Sequence, residues 1–172
     1  MKNDITPPAR RLFYALWPDD ATRTALAELQ TRIQGRRMRR VNLHLTLAFL
    51  GEQADALTGT LTGILHNLPT VDLPLALDRL GYFPHQRIVW AGTHETPVAL
   101  FDLHRQLSDA LKHAGIHFDA RLSFMPHVTL ARNADQPEDL LFMPIRWKAD
   151  TLVLAESIIR ADGVFYEVLA ST

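Results

Sequence analysis

At 172 residues, 47% of them apolar and 22% charged, the chain has the size and composition of one folded unit or two small lobes sharing a core, not those of a disordered segment. No apolar run approaches the ~20 residues that cross a bilayer, and the opening MKNDITPPARR lacks the apolar core of a secretory leader, so a cytoplasmic protein is expected. Eighteen basic against nineteen acidic residues (net −1) leave no cationic excess for non-specific duplex binding, and without cysteine there are no disulfides, thiolate nucleophiles or zinc–cysteine sites.

In chain order, the aromatic run at 12–17 (LFYALW) predicts a buried strand. Asp19 and Asp20 offer caps for a helix over 21–34, with Leu26, Leu29 and Ile33 at helical spacing. A basic connector (GRRMRR, 35–40) leads into a central strand at 43–50 that Gly51 ends, followed by a helix over 54–68 stopped by Pro69. Alternation of Val71, Leu73, Leu75 and Leu77 predicts a half-buried strand, GYFPHQ (81–86) a turn, and 87–93 (RIVWAGT) the returning strand. Pro97 opens a helix to 114, closed by Gly115. A loop (116–125) precedes a strand at 126–132 (PHVTLAR), and 133–147, with Pro137 and Pro144, reads as a surface connection. Strands at 151–159 and 163–169 finish the chain. Helices and strands mix without a βαβ rhythm, so the class is α+β.

Two pentads repeat within this pattern: His44-Leu45-Thr46-Leu47-Ala48 and His127-Val128-Thr129-Leu130-Ala131. Each closes a strand–helix–loop–strand series, over 12–50 and again over 87–132. Residues two apart on a strand share a face. His44 and Thr46 should therefore project together, with Leu43, Leu45, Leu47 and Phe49 filling the core behind them. His127 and Thr129 should do the same in front of Val128 and Leu130. An imidazole shuttles protons near neutral pH, and a neighbouring hydroxyl donates to a phosphoryl oxygen. A single His-x-Thr is weak evidence, since His94-Glu95-Thr96 also fits but lies in a polar turn. Two matching pentads in two buried strands are much stronger.

The segments LHLTLAFLG and PHVTLAR resemble the paired motifs of the two-histidine phosphoesterases, specifically the bacterial RNA 2′,3′-cyclic phosphodiesterases once described as 2′-5′ RNA ligases. RLFYALW, RIVWAG and GVFYEVLA extend the resemblance over nearly the whole chain, whereas RRMRRV before Asn42 departs from the family's usual aromatic or proline-containing stretch. The resemblance implies a bilobed, pseudo-symmetric α+β fold, with two antiparallel sheets and outer helices flanking a central cleft. Residues 1–172 would form one domain of two similar lobes, each contributing one motif (44–47 and 127–130). It further implies His44 as proton donor, His127 as proton acceptor and hydrolysis of RNA 2′,3′-cyclic phosphate ends to 2′-phosphates; the sequence alone leaves the two roles unassigned. Thr46 and Thr129 would stabilise the non-bridging oxygens. Arg132 and Phe13 are the expected substrate contacts, a phosphate or base partner and a stacking platform. Strict alternation sends Arg132 to the face opposite His127, so its role requires the strand to end or bulge there.

Other chemistries are less well supported. His113 and His117 have helical ligand spacing, but Gly115 lies between them, and no metal or other cofactor is expected. There is no phosphate-binding GxxxxGK[ST] loop, so any 2′-5′ ligation would be the ATP-free reverse of phosphodiester opening. Small cyclic nucleotides on the same site, or an RNA-end-binding module without turnover, are the remaining alternatives. Intact His and Thr in both motifs argue against the last. The expected partners are RNA ends or cyclic-phosphate nucleotides, with a monomeric chain and no membrane. Arg36, Arg37, Arg39 and Arg40 are either an RNA-backbone track or a solvated connector. His66, His85 and His104 are expected at the surface.

Overall fold

The computed structural model describes residues 8–120, 123–138 and 140–172. Positions 121–122 of the expected loop and 139 of the expected connection therefore lie outside the described residues. Strand β1 (Ala9–Leu16) leads to helix α1 (Asp20–Gln30), whose N-cap Asp19 accepts a hydrogen bond from the Thr22 backbone N–H (2.6 Å). A two-residue strand β2 (Arg36–Arg37), a 3-10 turn and strand β3 (Leu45–Ala54) follow. Next come α2 (Thr58–Asn67), β4 (Leu73–Leu77), β5 (Arg79–Phe83), β6 (Ile88–Gly92) and α3 (Val98–His113). The chain ends with β7 (His127–Arg132), β8 (Ile145–Ala149), β9 (Leu152–Arg160) and β10 (Gly163–Ser171).

The α+β class holds, with two antiparallel sheets. The larger runs β10-β9-β1-β3-β7-β6-β5, with β2 added beside β7; the smaller pairs β4 with β8. Within the larger sheet, β3 and β7 pair at one position, Leu45 with Val128. The two His-x-Thr strands are thus neighbours, joined by the narrowest seam in the sheet.

One face of the sheet carries the main core. Leu12, Tyr14, Leu16, Leu45, Leu47, Leu130 and Leu154 meet Leu26 and Leu29 of α1, Leu61 and Leu65 of α2, and Leu100, Leu103 and Leu107 of α3. The small sheet packs into this same core through Leu75 and Trp147. Tyr14 ties strand to helix by donating its hydroxyl to the Leu61 carbonyl (2.7 Å). The opposite face holds a separate apolar cluster of Phe13, Ala15, Val153 and Ala155, flanked by Trp17 and Tyr166. No helical residue contributes to that cluster, so this face is left for chemistry.

Several elements differ from the sequence expectation. Helix α1 stops at Gln30 rather than 34, because the buried Gln30 amide reaches across to the Met38 and Leu130 carbonyls and the chain turns back to pair Arg36 with Arg132. Gly51 does not end β3. Leu12 pairs with Gly51 and Phe13 with Phe49, so Leu50 is an extra residue, and the left-handed φ of Gly51 (66°) absorbs the bulge. Residues 81–83 are strand, not turn. The segment 133–147 ends in β8, where buried Ile145, Trp147 and Ala149 alternate with exposed Arg146 and Lys148. His104 is not a lone surface residue; its ring lies flat on Phe124 (4.0 Å between centroids).

Gly81 has a specific packing duty. A Cβ there would lie 1.9 Å from the indole ring of Trp90, which is itself buried. Gly81→Ala must therefore displace a core side chain, at a cost of about 1–3 kcal/mol. Chemical denaturation should show a lower midpoint at unchanged slope; an unaltered midpoint would mean that the Trp90 ring is free to move.

Candidate active site

The site is built on the Leu45–Val128 pair. Both side chains are buried in the main core, so their neighbours at His44, Thr46, His127 and Thr129 project to the other face. All four are half-buried there. The register thereby brings both motifs to one face of the larger sheet.

Both imidazoles are held alike. His44 donates from Nδ1 to the Asn42 carbonyl (2.7 Å), and His127 donates from Nδ1 to the Met125 carbonyl (2.7 Å). In each case the acceptor lies two residues upstream. A carbonyl only accepts, so Nδ1 carries the proton and Nε2 is the atom free to exchange one. In the neutral His44 ring, Nε2 accepts from the Thr46 hydroxyl (3.0 Å).

Aromatic rings wall both histidines. Phe13 and Tyr166 lie 4.9 and 5.0 Å from the His44 ring, and Trp17 stacks on it at 5.7 Å. Phe83 and Trp90 lie 5.2 and 5.9 Å from His127. Phe13, expected as a stacking platform, is only 3% exposed and packs against His44 and Tyr166, so it orients the imidazole instead of presenting a free face. Trp17, Tyr166, Phe83 and Trp90 were not anticipated. The period-two series Phe13, Ala15, Trp17 was the one signal that places an aromatic residue next to His44.

Electrostatics follow from this packing. Desolvation pushes the His44 pKa down to about 4, opposed by the Asn42 carbonyl and reinforced by the positive fields of His127, Arg23 and Arg132. Burial also lowers His127, against its Met125 hydrogen bond and with help from Arg132. Both rings are therefore predominantly neutral at pH 7.

Arg132 reaches the site because β7 bulges. Trp90 pairs with Thr129 and Val89 with Ala131, leaving Leu130 as an extra residue. The bulge reverses the alternation: Leu130 and Ala131 are both buried, and Arg132 returns to the histidine side, where its charge acts on both rings. Strand β3 bulges at the equivalent place. Ala15 pairs with Thr46 and Tyr14 with Ala48, so Leu47 is the extra residue. This phase change corrects the expectation for Phe49, which is 39% exposed on the histidine side while Ala48 is buried. The Leu130 carbonyl at the second bulge accepts from the Met38 N–H (2.8 Å) and the Gln30 amide (2.7 Å).

The basic connector splits. Arg39 and Arg40 pair with Asp162 and Asp20, whereas Arg36 and Arg37 form β2 beside Arg132 with exposed side chains. His113 donates from Nδ1 to the Asp109 carbonyl (2.7 Å) at the end of α3. Among the described residues no three His, Asp or Glu side chains converge as a metal cluster, and no helix is long and apolar enough to cross a membrane.

Two neighbouring His-x-Thr strands, each imidazole tethered through Nδ1 and an arginine brought alongside, fit the arrangement of a two-histidine phosphoesterase. The family model of the 2′-5′ RNA ligase superfamily matches residues 18–157, and the chain belongs to that superfamily. Among proteins similar to it, the RNA 2′,3′-cyclic phosphodiesterase of Thermus thermophilus is 30% identical over 174 residues, covering 92% of this chain and 87% of that protein. The RNA 2′,3′-cyclic phosphodiesterase of Escherichia coli is 34% identical over 102 residues, covering 59% and 57%. The crystal structure of E. coli LigT in apo form superposes with a TM-score of 0.85 at 26% identity over 95% of this chain and 96% of that one. That of E. coli LigT complexed with 3′-AMP does so with a TM-score of 0.83 at 26% identity over 96% and 98%.

The depressed His44 pKa has a consequence for stability. A ring that is neutral when folded but protonates below 6.5 when unfolded contributes stability that is complete above pH 6.5 and is lost as pH falls toward about 4. The denaturation midpoint should decline across that window, and His44→Gln should flatten the decline. An equal decline in the variant would place the titration elsewhere.

Proposed function

We propose that the protein hydrolyses 2′,3′-cyclic phosphate ends of RNA to 2′-phosphates, without a metal ion, by proton transfer between two histidines. The observation that carries this reading is the matched tethering of both Nδ1 atoms, which leaves two Nε2 atoms on one face of adjoining strands. A phosphorus atom between them meets a base on one side and an acid on the other. The names of the Thermus and Escherichia relatives support the same substrate.

In this mechanism water approaches from the His127 side. His127 Nε2 takes its proton as the new P–O bond forms, and the P–O3′ bond breaks with the electron pair going to O3′. His44 Nε2–H gives that oxygen its proton, so a 3′-hydroxyl and a 2′-phosphate result. The donor must first be charged. The anionic substrate supplies the condition, because a negative phosphate against Nε2 favours the imidazolium and raises the depressed pKa of His44. Thr46, Thr129 and Arg132 hold the non-bridging oxygens, where charge accumulates. The walls of Phe13, Trp17 and Tyr166 keep the imidazole fixed and partly dry, which strengthens these contacts.

An oligonucleotide ending in a 2′,3′-cyclic phosphate, incubated in excess EDTA, tests the reading. A 2′-phosphate product is expected; a 3′-phosphate, or activity that returns only with added Mn²⁺ or Zn²⁺, would overturn it. His44→Ala and His127→Ala should each lose at least ~10²-fold in kcat, and the pH profile of kcat/KM should be bell-shaped. Thr46→Val and Thr129→Val should cost less, about 1–3 kcal/mol each. With a nitrophenyl leaving group, which needs no proton, His44→Ala should recover and His127→Ala should not. Recovery of His127→Ala instead would exchange the two roles.

A further inference from the structure

Arg23, near the start of α1, has no ion-pair partner among the described residues. Its guanidinium carbon lies 4.8 Å from the centre of the Trp17 ring, the same indole that stacks on His44. Among the described residues its buried Nε has no hydrogen-bond partner, and Nη2 makes a long contact to the Leu43 carbonyl (3.4 Å). The two carboxylates whose fields reach it are engaged elsewhere. Asp20 pairs with Arg40 (2.6 Å), and Asp19 caps the Thr22 N–H. Among the described residues none forms an ion pair with Arg23. Half-burying a guanidinium without a carboxylate partner costs stability that the Trp17 ring and the long Leu43 contact offset only in part. The charge also lowers the pKa of His44, so by itself it works against the imidazolium that the mechanism needs. Both costs reverse when an anion sits beside it.

We propose that Arg23 binds a non-scissile phosphodiester of the RNA strand, the one joining the terminal nucleotide to its 5′ neighbour. This rests on the functional reading above. There the leaving oxygen at His44 belongs to the ribose and water enters from His127, so the strand continues away from phosphorus on the His44 side. That is the side on which Trp17 holds Arg23. Arg132, whose charge acts on both histidines, serves the reacting phosphate, and Arg23 the next one. The chain thereby distinguishes an RNA strand from a free nucleotide.

Calorimetric affinities of Arg23→Met and wild-type protein for a dinucleotide bearing a terminal 2′-phosphate, and for the corresponding nucleoside 2′-phosphate, test this directly. Because binding is measured, the result stands whether or not the cyclic ester is turned over; absent turnover would count against the hydrolytic reading alone. The dinucleotide-to-mononucleotide affinity ratio should fall about 10–100-fold in the variant, the worth of a charge-assisted contact. Its melting temperature should be unchanged or higher, since an unpaired charge has been removed. Arg23→Lys, which keeps the charge without the fork, should fall between the two in ratio. An unchanged ratio in both variants, whether the two ligands weaken together or neither does, would overturn the proposal.

Discussion

Everything at the site depends on one backbone pairing, Leu45 with Val128, where the strands bearing the two motifs lie side by side. Because side chains alternate along a strand, anchoring these two residues in the core forces His44, Thr46, His127 and Thr129 to the opposite face. The seam is short, and its neighbours complete it. Bulges at Leu47 and Leu130 turn both strands out of phase directly after the threonines, so that each strand returns to packing the core with two consecutive apolar residues. At the second bulge the same turn delivers Arg132 to the histidines, and the Met38 N–H and the Gln30 amide together satisfy the Leu130 carbonyl.

The site carries an excess of positive field. Arg132 and Arg23 both project positive field onto His44, while aromatic rings withhold the water that would screen it. Such a surface holds its imidazoles neutral and gains most from an anion. In the proposed hydrolysis, binding and proton loading would be one event, since the phosphate that relieves the arginines would also be the charge that lets an imidazole become an acid. A site assembled this way needs no acidic partner for either histidine, and carbonyl acceptors at Asn42 and Met125 fix the tautomer in place of a carboxylate.

Much of this was legible in the sequence because it is periodic or repeated. The two pentads, the apolar strands around them, the capped α1 and the Gly115 stop of α3 follow from local rules. The bulges were harder. Their trace is the apolar doublet Leu47-Ala48 and its counterpart Leu130-Ala131, which alternation alone reads as noise. Strand β8 was hidden by Pro137 and Pro144, which suggest irregular chain although Pro144 merely precedes the strand. The pairing of β2 with β7 and the placement of Trp17 and Arg23 arise from contacts between distant segments, and no local pattern encodes them.

The central claim is that both histidines are tethered through Nδ1 and work through Nε2 on one phosphate. Nitrogen-15 spectra of the imidazole rings, recorded free and with a nucleoside 2′-phosphate, address it most directly. The Nδ1–H tautomer is expected at both His44 and His127 in the free protein, with a response of both Nε2 nitrogens, and gain of a proton at one of them, on binding the ligand. An Nε2–H tautomer at either residue in the free protein, or a response confined to a single ring, would contradict it.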